Sequence, residues 1–106
     1  MKPNMNNAMR QVQQAQAEMA RVQEELASDL VSASAGGGAV RVTITGDLKV
    51  TDVVIDPRAA DPDDVGMLQD MVVAAVNEAL REAQDLASKK MSRVMGGLGL
   101  PGGLGF

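Results

Sequence analysis

The side chains able to do chemistry in this sequence are carboxylates, lysines, arginines and hydroxyls, because the chain has no His, Cys, Trp or Tyr. That inventory removes the commonest general base, the thiol nucleophile, and the imidazole and thiolate ligands of a zinc site. Disulfides are excluded with the cysteines. Ser88 stands beside Lys89, which is not the spacing of a recognisable catalytic dyad. Asp61, Asp63 and Asp64 invite a metal reading, but they flank Pro62 at the start of a helical pattern. Carboxylates there cap exposed backbone N–H groups, with Asp61 as the N-cap and Pro62 in the first turn. Gly36-Gly37-Gly38 lies between strand patterns and lacks the Gly-Lys-Ser/Thr of a phosphate loop, so it reads as a hairpin turn. No catalytic residue, metal, cofactor or small-molecule substrate is expected, and the chain reads as a binding protein rather than an enzyme.

Binding chemistry is left to charge. The net charge of −4 hides a strong asymmetry. Lys2 and Arg10 stand in residues 1–17 with no acid among them, and Lys89, Lys90 and Arg93 stand in residues 86–106, again with none. All fourteen carboxylates lie from Glu18 to Asp85. Both ends are basic and the middle is acidic. The single aromatic is Phe106, so bases cannot be stacked on aromatic platforms as single-strand readers require. Any nucleic-acid contact must run mainly through phosphates, to Lys, Arg, Gln and Asn.

The elements that must position these groups are few. Met5, Ala8, Val12, Ala15, Met19, Val22 and Leu26 recur at three and four residues, which predicts a helix over about residues 4–27 with a narrow apolar seam. Gln11, Gln13, Gln14 and Gln16 crowd its remaining surface. Three short strands follow, at residues 31–35, 40–45 and 48–55, the first two alternating apolar and polar positions. A three-residue loop would pair Ile44 with Leu48 and Val42 with Val50, and a bulge at Thr51–Asp52 would return Val53 and Ile55 to the apolar face. A second helix, from Asp61 to about Val94, is stopped by Gly96-Gly97. The fold class is α+β: a helix, a three-stranded antiparallel meander and a long helix. Residues 1–95 form one domain, and 96–106, with six glycines in eleven residues, form a flexible Gly-rich tail.

The second helix carries the constraint that shapes the assembly. Leu68, Met71, Val72, Ala75, Val76, Ala79, Leu80, Ala83 and Leu86 spread over roughly 200° of its surface, about twice the arc of a helix that packs on one surface. One small sheet cannot cover that arc, so a homodimer is expected, with Val53, Leu68, Met71, Val72 and Val76 in the interface. Helices of roughly 36 and 45 Å overhang strands of about 20 Å. The two basic ends would then meet at the tip of one arm. No secretory signal follows Lys2, and no apolar run approaches the ~20 residues of a membrane span, so a cytoplasmic protein without membrane contact is expected.

These residues carry a resemblance over nearly the whole chain. The Gln/Met-rich first helix, GGGAVRVTITG (36–46), VVIDP (53–57), DPDDVGMLQDMVVAAVNEAL (61–80), KKM (89–91) and GGLGLPGG (96–103) occur in the order and spacing of the YbaB/EbfC family of bacterial nucleoid-associated DNA-binding proteins. The resemblance implies a homodimer with protruding helical arms that bind double-stranded DNA, with a role in nucleoid organisation or gene regulation. Lys2, Arg10 and Arg21 on the first helix, and Lys89, Lys90 and Arg93 on the second, would then contact phosphate. The first helix departs from the pattern in being rich in Gln where relatives often carry Lys, and Gly66 stands where an acid is common. The alternative is a cytoplasmic protein-interaction module that uses the apolar helix seams and the tail.

Overall fold

The computed structural model describes residues 5–97. Helix α1, Met5–Ser28, leads into strands β1, Leu30–Ala35, β2, Val40–Thr45, and β3, Val50–Ile55. A 3-10 turn at Pro57–Ala59 precedes helix α2, Val65–Gly97. The strands form an antiparallel sheet in the order β1-β2-β3. The α+β class and the element order are those expected from the sequence.

Alternation in the strands separates two faces. Val31, Ala33 and Ala35 on β1 pair with Ile44, Val42 and Val40 on β2, and these six residues share the face that α2 covers. Val40, Val42 and Ile44 are fully buried there. The other face is polar, and Ser32 and Thr43 hydrogen-bond across it, oxygen to oxygen, at 2.8 Å. Ala75, Ala79 and Ala83 are also fully buried. They lie four residues apart on one side of α2, so the helix seats on the sheet along a stripe of methyl groups.

That seat is narrow. α2 lies across β1 and β2, while β3 extends beyond its flank. Ile55, Val53 and Val50 pair with Val40, Val42 and Ile44, and so share the apolar face. They nevertheless remain 37%, 42% and 54% exposed. The bulge falls where it was expected: Thr43 pairs with Asp52 and Ile44 with Val50, which leaves Thr51 as the extra residue.

Several boundaries differ from the sequence reading. The β2–β3 loop is Gly46-Asp47-Leu48, one residue later than expected. Thr45 N–H donates to Lys49 O at 2.8 Å, and Leu48 takes the left-handed backbone at φ 71°. Gly46 is needed for room, since a Cβ there would lie 2.8 Å from the carbonyl oxygen of Leu26 in the last turn of α1. Asp61 does not cap α2. Its carboxylate accepts from Asp63 N–H at 2.9 Å in a turn, and Asp64 is the cap, accepting from Met67 N–H at 3.3 Å. Gly96 and Gly97 continue α2 past the expected boundary at residue 95. The tail expected over 96–106 otherwise lies outside the described residues.

The molecule is a rod, 76 × 24 × 15 Å, with a radius of gyration of 20.1 Å. A compact globule of this length would have about 12 Å. Only Val22 and Leu26 of the α1 seam are buried, whereas Met5, Val12 and Met19 are exposed. The 33 residues of α2 span about 50 Å, so its last turns have left the sheet and run beside α1.

Replacing Ala79 with Leu should lift α2 from β2 and cost about 1–3 kcal/mol. Leu at Asn77, on the exposed side, should change stability by no more than about 0.5 kcal/mol. Urea denaturation of both variants checks the assignment of the buried stripe.

Candidate nucleic-acid interface

The fold sorts the cations into two classes. Arg58 pairs with Asp56 at 2.7 Å, and Lys49 lies 3.9 Å from Asp47. Arg81 is held by Glu78 and, at 3.5 Å, by Asp85. Arg21 is held by Glu18 and, at 3.5 Å, by Glu25. Lys90 lies 2.6 Å from Asp29 and 2.9 Å from Glu25. Among the described residues, Arg10, Arg41, Lys89 and Arg93 have no carboxylate partner. All four are exposed. Arg41 lies on the polar sheet face, and the other three lie on the helices that overhang the sheet.

The basic residues expected at the interface therefore separate. Lys2 lies outside the described residues. Arg21, Lys90 and Arg93 come together at a cleft of about 300 Å³ between α1 and α2, lined also by Glu18, Val22, Glu25 and Val94. Arg10 stands eleven residues from Arg21 along α1, or about 16 Å. The last turns of α2 thus meet the middle of α1, and the basic groups are strung along the arm instead of gathered at one tip. Lys89 and Arg93 are four residues apart on successive turns and both face water. Lys90 is turned into the helix pair, with its side chain only 16% exposed.

The electrostatics follow from this geometry. The hydrogen bond to Glu18, then the charges of Glu18 and Glu25, raise Arg21 above the ordinary arginine value. The Asp29 carboxylate, then that of Glu25, raises Lys90. Glu78 is lowered first by its hydrogen bond to Arg81, and Asp56 by that to Arg58. Every one of these shifts runs away from neutrality, so the ion pairs stay charged across the physiological range. Arg21 is exposed, and screening leaves such a pair little energetic weight. Lys90 is half-buried, and its contacts join two elements.

Sequence reasoning missed the inward turn of Lys90. A signal was present: Ala79, Ala83, Leu86, Lys90 and Val94 follow one another at intervals of three and four residues, so Lys90 lies on the apolar stripe of α2. Glu25 and Asp29, four apart on α1, offered it a matched pair of acids. The residues expected in a dimer interface fall into two sets. Val53 is exposed on β3, while Leu68, Met71, Val72 and Val76 are half-buried, packed on the core at one side and open at the other. Two of the aspartates weighed as a metal site, Asp61 and Asp64, accept hydrogen bonds from the backbone.

Comparison with known proteins places the chain. Residues 1–98 match the family model described as the YbaB/EbfC DNA-binding family. A nucleoid-associated protein of Alkaliphilus metalliredigens is 50% identical over 100 residues, covering 94% of this chain and 88% of its own. One of Pelotomaculum thermopropionicum is 52% identical over 99 residues, covering 93% and 94%. The crystal structure of an uncharacterized protein from Helicobacter pylori superposes with a TM-score of 0.72 at 17% identity, covering 83% of this chain and 92% of that one. This last likeness concerns the fold.

The pH response of the Lys90 contacts has a definite sign. A lysine raised by folding contributes stability that is complete below its unfolded value and is lost as pH rises through the folded one. The drop in Tm caused by Lys90→Met should therefore be equal at about pH 6 and about pH 9, and should shrink only above the ordinary lysine value of 10.5. Melting curves followed by circular dichroism check this.

Proposed function

The chain belongs to the YbaB/EbfC DNA-binding family, and on that premise we propose that it binds double-stranded DNA as a homodimer, through phosphate contacts made by its helical arms. The function is that of a nucleoid-associated DNA-binding protein, not an enzyme. Organising the nucleoid or regulating genes there, in the bacterial cytoplasm, is the role this reading gives it. The observation that carries the phosphate reading is the sorting of charge. Arg10, Lys89 and Arg93 are exposed on the arms without acid partners among the described residues, while other cations are spent on local pairs. Residues 5–17 of α1 carry no acid at all. A duplex approaching the arms therefore meets positive charge, although the net charge of the chain is −4.

The dimer has its own support. The apolar face of β3 is left open beside α2, and Leu68, Val72 and Val76 border the same core with part of their surface exposed. A second copy placed there would cover an aliphatic strip that water otherwise wets, and an obligate interface buries upward of about 2,000 Å². Two copies double the phosphate contacts and hold two arms at a fixed separation. Contacts of this kind are sequence-independent and strongly salt-dependent. The exposed seam of Met5, Val12 and Met19 favours a second reading, in which α1 packs against another protein. A binding mode carried by apolar contact would respond little to salt.

Two measurements test the proposal. Arg10, Lys89 and Arg93 replaced together with Ala should weaken binding to unrelated duplexes alike. With each of the three meeting a phosphate in both protomers, the replacement should flatten the slope of log affinity against log salt by about five. An unchanged slope would move the function to the protein-interaction reading. Separately, Val53→Asp should convert the dimer to monomer in sedimentation at micromolar concentration, because it sets an unpaired charge on the apolar strip.

A further inference from the structure

Lys90 bridges the two helices of the arm. Among the described residues, its contacts with Glu25 and Asp29 are the only ion pairs that join two different elements, and the hydrogen bond to Glu25 spans 65 residues of sequence. The remaining pairs lie within one helix, one turn or one loop. Packing between α1 and α2 is thin at this point, since a cleft of about 300 Å³ opens between Val22 and Val94. A phosphate reaching Lys90 would have to displace two carboxylates already within 3 Å of its ammonium.

We propose that Lys90 is a positioning residue of the DNA-binding arm: it contacts no phosphate but locks the last turns of α2 against α1. The helix geometry gives the lock its consequence. At 100° per residue, Lys89 lies about 100° from Lys90, and Arg93 about 60° from it in the same rotational sense. With Lys90 fixed towards Glu25 and Asp29, both exposed cations are held on one flank of α2. Their distance from Arg10 on α1 is fixed by the same contact. Without the lock, the end of α2 is free to swing, and only a fraction of the molecules present the three charges together. Apparent affinity falls by that fraction.

The functional half of this inference rests on the DNA-binding reading, so the test carries one arm that needs no DNA. Three proteins are compared: wild type, Lys90→Ala, and the exchange Lys90→Glu with Glu25→Lys and Asp29→Asn. The exchange keeps an ion pair between the helices, and Asp29→Asn removes the carboxylate that lies 2.6 Å from the Lys90 ammonium and would repel an acid placed there. Spin labels are attached to cysteines introduced at Gln16 and Met95, both exposed, in a chain that has no cysteine of its own. The distance distribution should be narrow in wild type, broad in Lys90→Ala, and narrow again in the exchange. Duplex affinity should fall about tenfold in Lys90→Ala and return to within about threefold of wild type in the exchange. If Lys90 touched phosphate, a carboxylate in its place would push affinity below that of Lys90→Ala. That result, or a narrow distribution in Lys90→Ala, overturns the proposal. A failure of wild type to bind duplex would sink the DNA-binding reading, while the distance measurement would still decide whether the lock exists.

Discussion

The seat of α2 on the sheet is the constraint from which the rest of the architecture follows. Three alanines, Ala75, Ala79 and Ala83, bring the helix axis close to β1 and β2, and their small side chains leave no reach towards β3. Larger residues on that stripe would raise the helix and widen its cover, at the expense of close packing. The alanine seat therefore has two effects at once. It makes a dry core from Val40, Val42 and Ile44, and it leaves the apolar face of the third strand without a lid. Because the six-residue strands end after about 20 Å, the seat also ends, and the remaining half of α2 must find another partner or stand in water. It finds α1.

Helix α1 is held at one end only. Val22 and Leu26 are buried, Gly46 admits the final turn close to the sheet, and Lys90 grips Glu25 and Asp29. The earlier half of the helix has no comparable packing among the described residues. An isolated helix of a dozen residues is marginal in water because nucleation is costly. Here the anchored end supplies the nucleus, and each further residue need only propagate it. Ala, Gln, Met and Arg, which dominate residues 5–17, are the residue types for which propagation costs least. A projecting helix can thus form without a core of its own.

Much of this was legible in the sequence, where one period dominated. The first two strands alternate cleanly, so their faces followed from pattern, and the broken alternation of the third marked the bulge at Thr51. The Ala and Val spacing of α2 marked its buried side. What escaped were positions at which two rules competed. Asp61-Pro62 and Asp64 are both good helix starts, and the backbone turn at Asp61–Asp64 decided for the later one. The β2–β3 turn was placed one residue early, because contact with Leu26 requires the glycine at position 46 and Leu48 takes the left-handed backbone. Lys90 looked like one of three equivalent cations because charge was counted along the chain, whereas its place on the apolar stripe set its direction.

The case of Lys90 bears on how an acidic protein can present a basic surface. Fourteen acids against ten cations would repel a duplex if they were mixed evenly. The fold instead places the acids on the second half of α1, on β3 and the loops, and on α2 before Leu86, where several are occupied by Arg21, Arg58, Arg81 and Lys90. Each such pair removes a cation from the pool available to phosphate, and also masks a carboxylate that would oppose binding. At physiological salt, charges more than about 8 Å apart are largely screened from one another, so a phosphate near Arg10 responds to the acid-free first half of α1 more than to the distant sheet. What matters for binding is then the local order of charges along the arm. That order depends on the angle at which α2 meets α1, where, among the described residues, Lys90, Glu25 and Asp29 join the two helices.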